Sequence, residues 1–97
     1  MYTIRFTPEA IADWECFRKT ERRLILDNIA LQLAQEPTVE TRNRKRLRPN
    51  RLAEWELRVG KFRVFYEAVK PPGIVRIEAI GHKVGNVLLI RNEEYEL

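Results

Sequence analysis

One stretch, Glu54 to Glu67, limits what this chain can become more than any other. Apolar and charged residues alternate through Trp55, Leu57 and Val59. They alternate again, after Gly60-Lys61, through Phe62, Val64 and Tyr66. A period of two carried by aromatic and β-branched residues specifies strand. Glycine at the first turn position suits a tight type II′ hairpin. That turn pairs Val59 with Phe62, Leu57 with Val64 and Trp55 with Tyr66, so pattern and turn agree on one register and one apolar face. The opposite face sets Arg58 against Arg63, with Glu56 and Phe65 beside them. Like charges directly opposite destabilise a sheet. Either the two guanidinium groups splay into solvent, or the face is built to meet an anion.

The flanking segments supply what such a hairpin packs against. Tyr2, Ile4 and Phe6 alternate with Thr3, Arg5 and Thr7, which predicts a first, half-buried strand. Thr7-Pro8-Glu9 then reads as a helix start, with Thr7 as cap, Pro8 at the first helical position and Glu9 at the positive dipole end. Ile11, Trp14 and Phe17 fall on one face of that helix. Lys19-Thr20 interrupts the pattern, with Thr20 as a candidate cap for a second helix. Ile25, Leu26, Ile29, Ala30 and Leu33 form its apolar stripe, and Glu36-Pro37 ends it. The short joint implies an antiparallel helix pair. Beyond the hairpin, Pro71-Pro72-Gly73 makes a second turn. Val75, Ile77 and Ala79 are then expected to continue the apolar face. Ile74, Arg76, Glu78, Ile80 and His82 are expected on the Arg58/Arg63 side, with Gly81 as a kink that turns His82 and Lys83 toward its end. A terminal strand or short hairpin is expected at 86–96. The sum is an α+β fold of order β-α-α-β-β-β, an antiparallel sheet with two helices packed on one face, forming one domain over 1–97.

Charge narrows the function. The chain of 97 residues carries +4 at pH 7, and six cations crowd into Thr41–Arg51: Arg42, Arg44, Lys45, Arg46, Arg48 and Arg51. The remainder is therefore net acidic, and a local excess suits a nucleic-acid footprint better than a diffuse one does. Arg44, Lys45, Arg46, Arg48 and Arg51 are the candidate nucleic-acid-binding residues. A solvated loop or an acidic protein partner would explain the same cluster. One cysteine, Cys16, excludes an internal disulfide, and one histidine with it makes no common zinc site. No metal or other cofactor is expected. No apolar run approaches the length of a membrane span, and the start of the chain carries no signal-peptide pattern, so the expected location is cytoplasmic.

RNA carries its own nucleophile, the 2′-hydroxyl, so a protein can cleave it by orienting that group, stabilising the phosphorane and moving two protons. Arg63 and Arg58 are the candidates to hold the phosphate, with the Arg63 side chain facing solvent. His82 or Glu56 would take the 2′-proton, and Lys83 or His82 would assist the leaving 5′-oxygen. A lone histidine at a strand end is more often structural, and Glu56 would also serve simply to neutralise its neighbours.

The hairpin segment Leu57-Arg58 followed by Gly60-Lys61-Phe62-Arg63-Val64-Phe65-Tyr66, together with Ile77 to Lys83, resembles the RelE/ParE superfamily of toxins from bacterial type II toxin–antitoxin systems. The order of elements resembles it too. The resemblance implies a cytoplasmic protein silenced by a small antitoxin. In RelE-type members it implies a metal-free endoribonuclease that cuts mRNA on the ribosome. It carries functional positions onto Arg63 and Lys83, and a basic hairpin position onto Arg58. Two departures stand out. Glu54 and Glu56 occupy positions that RelE fills with lysine, and RelE's C-terminal tyrosine falls near Leu89. Some relatives use glutamate or histidine, a role open to Glu56 and His82. The alternatives the resemblance leaves open are a ParE-like inhibitor of DNA gyrase and a relative that only binds its antitoxin.

Overall fold

The computed structural model describes residues 1–97. In chain order the elements are β1 (Thr3–Phe6), α1 (Pro8–Glu15), α2 (Lys19–Leu33), β2 (Arg44–Arg46), β3 (Trp55–Val59), β4 (Phe62–Val69), β5 (Ile74–Val84), β6 (Val87–Ile90) and β7 (Glu93–Tyr95). The expected α+β plan is present, with the terminal hairpin at the end and one further short strand inside the basic segment. The sheet runs β2-β3-β4-β5-β6-β7 and is antiparallel throughout, apart from β1, which pairs in parallel with the first half of β5.

The β3–β4 hairpin has the register read from the sequence, with Val59 opposite Phe62, Leu57 opposite Val64 and Trp55 opposite Tyr66. Gly60 carries a φ of +58°, as the first position of a II′ turn requires. Both helices lie on the apolar face this register creates. Helix α1 starts as expected, the Ala10 N–H donating to Thr7 Oγ1 at 3.1 Å with Pro8 behind it. Helix α2 starts one residue before Thr20, and Thr20 does not cap it. The Glu21 carboxylate instead accepts the Arg18 N–H at 3.0 Å, a bond that lowers the Glu21 pKa. From α2, Ile25, Ile29 and Leu33 are buried against Leu57, Val64, Tyr66, Val75 and Ile77. Tyr66 is fully buried, and its hydroxyl donates to the Pro37 carbonyl at 2.6 Å, anchoring the chain that leaves α2. Three residues of the expected stripes, Ile11, Leu26 and Ala30, stay outside. Ile11 and Leu26 are 45% and 38% exposed and, with Phe6 and Trp14, line an open apolar groove.

One irregularity reorganises β5. Phe65 pairs with Ala79 but Tyr66 pairs with Ile77, so Glu78 is an extra residue, a β-bulge. An extra residue inverts the side-chain alternation beyond it. Val75 and Ile77 face the helices as expected, but Ala79 does not. Ile80 and His82, opposite Val64 and Phe62, lie on the helix face. Ala79, Gly81 and Lys83 take the other face. Gly81 is therefore no kink for His82. It is buried because β6 passes close by: a Cβ there would sit 2.5 Å from the Leu89 carbonyl oxygen and 2.7 Å from Ile90.

The second face is not fully open either. Ala53, Phe65, Ala79, Leu88 and Ile90 form a smaller buried cluster, with Leu47, Leu52 and Tyr95 packed on it. The loop between β2 and β3 folds over part of this face, held by Asn50, whose Oδ1 accepts from the Leu52 and Ala53 N–H groups at 2.7 and 3.0 Å. The expected C-terminal hairpin is β6–β7. It turns at Arg91-Asn92, both at positive φ, which sets Leu88 opposite Tyr95. No helix is long and apolar enough to cross a membrane.

Candidate active site

Between the folded-over loop, the hairpin and β7 lies a cleft of about 660 Å³ on the face away from the helices. Lys45, Arg48, Glu56, Arg58, Arg63 and Lys83 line its polar side. Register explains how they meet. Arg58 stands opposite Arg63, Lys45 opposite Glu56, and the inverted alternation of β5 brings Lys83 to the same face.

Glu56 resolves the like-charge pair. Its side chain is only 10% exposed, with Oε2 at 3.5 Å from Arg58 Nε and Oε1 at 3.7 Å from Arg63 Nε. A carboxylate set between two guanidinium groups offsets their repulsion, and both distances are too long for good hydrogen bonds. Arg63 does not face solvent as the pattern suggested: its side chain is 14% exposed. One terminal nitrogen donates to the Gly60 and Phe62 carbonyls at 2.7 and 2.9 Å, bracing the hairpin turn. Its Nε is buried with no hydrogen-bond partner. Burial lowers the Arg63 pKa, Glu56 opposes that shift, and Arg58 adds to it. Arg63 thus holds its charge against desolvation, with an N–H left over. An anion bound in the cleft beside Arg63 offsets that desolvation by favouring the charged guanidinium.

His82 is not part of this group. It faces the helix side, with its ring edge-on to Phe17 at 6.0 Å. There it lines a separate cleft with Asp13, Cys16 and Arg91. The bulge at Glu78 is the physical reason, and nothing in the local pattern announces it. The basic segment is also divided. Arg44, opposite Leu57, donates to the Val39 carbonyl at 2.8 Å, the Gln32 carbonyl at 2.8 Å and Gln32 Oε1 at 3.0 Å. These bonds tie the edge strand to α2, so Arg44 serves as a brace between them. Arg46 lies along the Trp55 ring and 3.6 Å from Glu54. Lys45, Arg46 and Arg48 line the cleft, and Arg51 stands over Tyr95, 5.8 Å from its ring centre.

Tyr95 is the cleft residue that sequence reasoning missed. Leu89, where the resemblance placed a tyrosine, pairs with His82 on the far face. Counting back across the Arg91-Asn92 turn would have found Tyr95: two residues in the turn set Ile90 against Glu93 and Leu88 against Tyr95.

Comparison with known proteins places this geometry. Residues 4–86 match the family model described as the ParE toxin of type II toxin–antitoxin systems, parDE. The fold is similar to a chain of the toxin–antitoxin complex RelBE2 from Mycobacterium tuberculosis, with a TM-score of 0.70 and 26% identity over 84% of this chain and 98% of that one. No curated protein matches the chain at a significant level. Strands β6 and β7 lie beyond the matched residues.

Proposed function

The chain belongs to the family of ParE toxins of type II toxin–antitoxin systems, and on that premise we propose that it acts as a metal-free, ribosome-dependent mRNA endoribonuclease that stops translation. The observation that carries this reading is the Arg58–Glu56–Arg63 group with Lys83 in one cleft. The scissile phosphate binds in the cleft lined by Arg58 and Arg63. Glu56 accepts the proton of the 2′-hydroxyl as that oxygen attacks phosphorus. The two arginines stabilise the charge of the phosphorane. Lys83 gives a proton to the 5′-oxygen as its bond to phosphorus breaks, leaving a 2′,3′-cyclic phosphate and a 5′-hydroxyl. Lys45 and Arg48 hold flanking phosphates. A ribosomal target implies action in the cytoplasm.

The reading includes a cognate acidic antitoxin. The RelBE2 structure is that of a toxin–antitoxin complex. The groove of Phe6, Ile11, Trp14 and Leu26, with Lys19, Arg22 and Arg23 next to it, suits apolar anchors steered by acidic residues.

The test is cleavage of ribosome-bound mRNA by purified protein in the presence of chelator, with the product ends analysed. Cyclic-phosphate ends are expected, and intact mRNA under these conditions rejects the reading. One observation favours a second reading, inhibition of DNA gyrase: the matching family model is that of ParE toxins. Expression in cells separates the two, since arrest of replication before translation, with mRNA intact, supports gyrase.

A further inference from the structure

Away from the cleft, the Asp13 carboxylate is buried, with its side chain 3% exposed, and it joins three elements. Asp13 lies in the last turn of α1. Its Oδ2 accepts the Ile80 N–H of β5 at 3.0 Å, just past the bulge. Its Oδ1 lies 3.0 Å from Nε of Arg91, in the β6–β7 turn. Both charged partners sit against their local preferences. An acid near the C-terminal end of a helix meets the negative pole of the dipole, and burial adds a desolvation cost. Arg91 has a φ of +52°, a left-handed conformation that suits asparagine or glycine better than arginine. Local structure gives no reason for either residue, so the reason lies in what their contact holds.

The β6–β7 hairpin is short. Three residue pairs join it to β5: His82–Leu89, Lys83–Leu88 and Val84–Val87. A two-stranded ribbon of this size is marginal without further support. Its position nevertheless matters to the cleft. Leu88, the partner of Lys83, lines the cleft together with Glu96. Gly81, which pairs with Arg63, is covered so closely by Leu89 and Ile90 that a Cβ would not fit. A hairpin that lifted away would admit water beside Arg63 and weaken its hold on an anion.

We propose that Asp13 and Arg91 are positioning residues that latch the β6–β7 hairpin against β5 from the helix side, and so keep the Arg63–Lys83 end of the cleft closed around a bound RNA phosphate. The proposal rests on the reading of that end as a phosphate site. Asp13 and Arg91 line the separate cleft that holds His82, so their effect on the phosphate passes through the hairpin.

Amide hydrogen exchange, together with binding of a 2′-O-methyl RNA trinucleotide that cannot be cleaved, tests this in the full chain. In Asp13→Asn the side-chain oxygen still accepts from Ile80, but an NH2 group now faces Arg91. In Arg91→Asn the turn gains a residue suited to its backbone, and the pair is lost. In both variants the amides from Leu88 to Tyr95 should exchange about 10-fold faster, reflecting the loss of one charge-assisted hydrogen bond. Those of β3 and β4 should exchange no faster than in wild type. RNA affinity should fall about 3- to 10-fold as the closed hairpin becomes less populated. Arg91→Lys, which keeps the charge, should recover part of both losses. Unchanged exchange in the hairpin, exchange that accelerates throughout the sheet, or unchanged affinity beside a loosened hairpin each overturns the proposal. So does failure of the wild type to bind the probe at low salt. RNA binding that depends on the pair, in a protein that leaves ribosomal mRNA uncut, would reject the ribonuclease reading and leave the latch standing. Cleavage indifferent to the pair would do the reverse.

Discussion

The two faces of the sheet share every strand and differ in what each residue is asked to do. On the helix face, Leu57, Val64, Tyr66, Val75 and Ile77 interlock with Ile25, Ile29 and Leu33 in a continuous core. On the cleft face, a small cluster around Phe65 and Leu88 stands next to two arginines, a lysine and a nearly buried glutamate. The first face can be satisfied by burial alone, which is non-directional. The second holds charges partly out of water, and these are satisfied only by specific partners. The difference predicts that damage to the first face reads out as stability, and damage to the second as rate and affinity.

The largest effect is expected on the helix face. Leu57 is fully buried at its centre. Leu57→Ala should cost about 2–5 kcal/mol of unfolding free energy, from lost transfer and the cavity left behind. Denaturant titration checks it, and a cost under about 1 kcal/mol would mean the two faces are not divided as described. Arg63→Ala comes next and belongs to the cleft face. It should slow mRNA cleavage by about 10²–10³-fold, the loss of one donor to a developing oxyanion. Arg63→Lys should recover only part of that, having no fork. Because Arg63 also braces the Gly60 and Phe62 carbonyls, some stability is expected to go with it, about 1 kcal/mol. Thermal unfolding of both variants separates the two losses.

Arg44 and Lys45 sharpen the comparison further, because neighbours in one strand point to opposite faces. Arg44→Ala should destabilise by about 1–3 kcal/mol, leaving the Gln32 and Val39 acceptors unpaired. It should leave the salt dependence of RNA binding unchanged. Lys45→Ala should do the opposite, with little loss of stability and a salt slope lower by about 0.7. The same outcome for both would dissolve the assignment.

The smallest effect concerns Asp13. This buried carboxylate of α1 accepts the Ile80 N–H at 3.0 Å and lies 3.0 Å from Arg91 Nε. Burial raises its pKa above 3.8, against the opposing pull of Ile80 and Arg91. A raised carboxyl pKa means that the folded state binds the proton more tightly than the unfolded state. Ionisation of Asp13 therefore costs stability, fully above the folded pKa and not at all below about 3.8. Asp13→Asn keeps an acceptor for Ile80 and removes the titration. Relative to wild type, its stability should shift in the variant's favour as pH rises from 3 to 7. Thermal melts across that range measure the difference, and the opposite slope would show that the Arg91 pair outweighs desolvation.

Local pattern was enough for the parts of this protein held by neighbours in sequence. The hairpin register followed from alternation and one glycine, because a two-residue turn leaves a single pairing that puts six apolar residues together. The start of α1 followed from Thr7-Pro8, and the meeting of Arg58, Arg63 and Glu56 followed from the same register as the core. What tertiary structure alone decided lies wherever distant segments compete for one position. A bulge at Glu78 falls between the part of β5 that pairs with β1 and the part that pairs with β6, and it moved His82 to the helix face and Ile80 into the core. Arg44 and Lys45 carry the same charge in the sequence. Only the pairing of β2 with β3 determined that one would brace a helix and the other would reach the cleft. Tyr95 came to that cleft through two successive strand pairings, each set by backbone hydrogen bonds that composition does not encode. Side-chain direction in a sheet has a period of two, so one inserted residue or one chosen edge reverses it, and that choice is made by packing across the whole sheet.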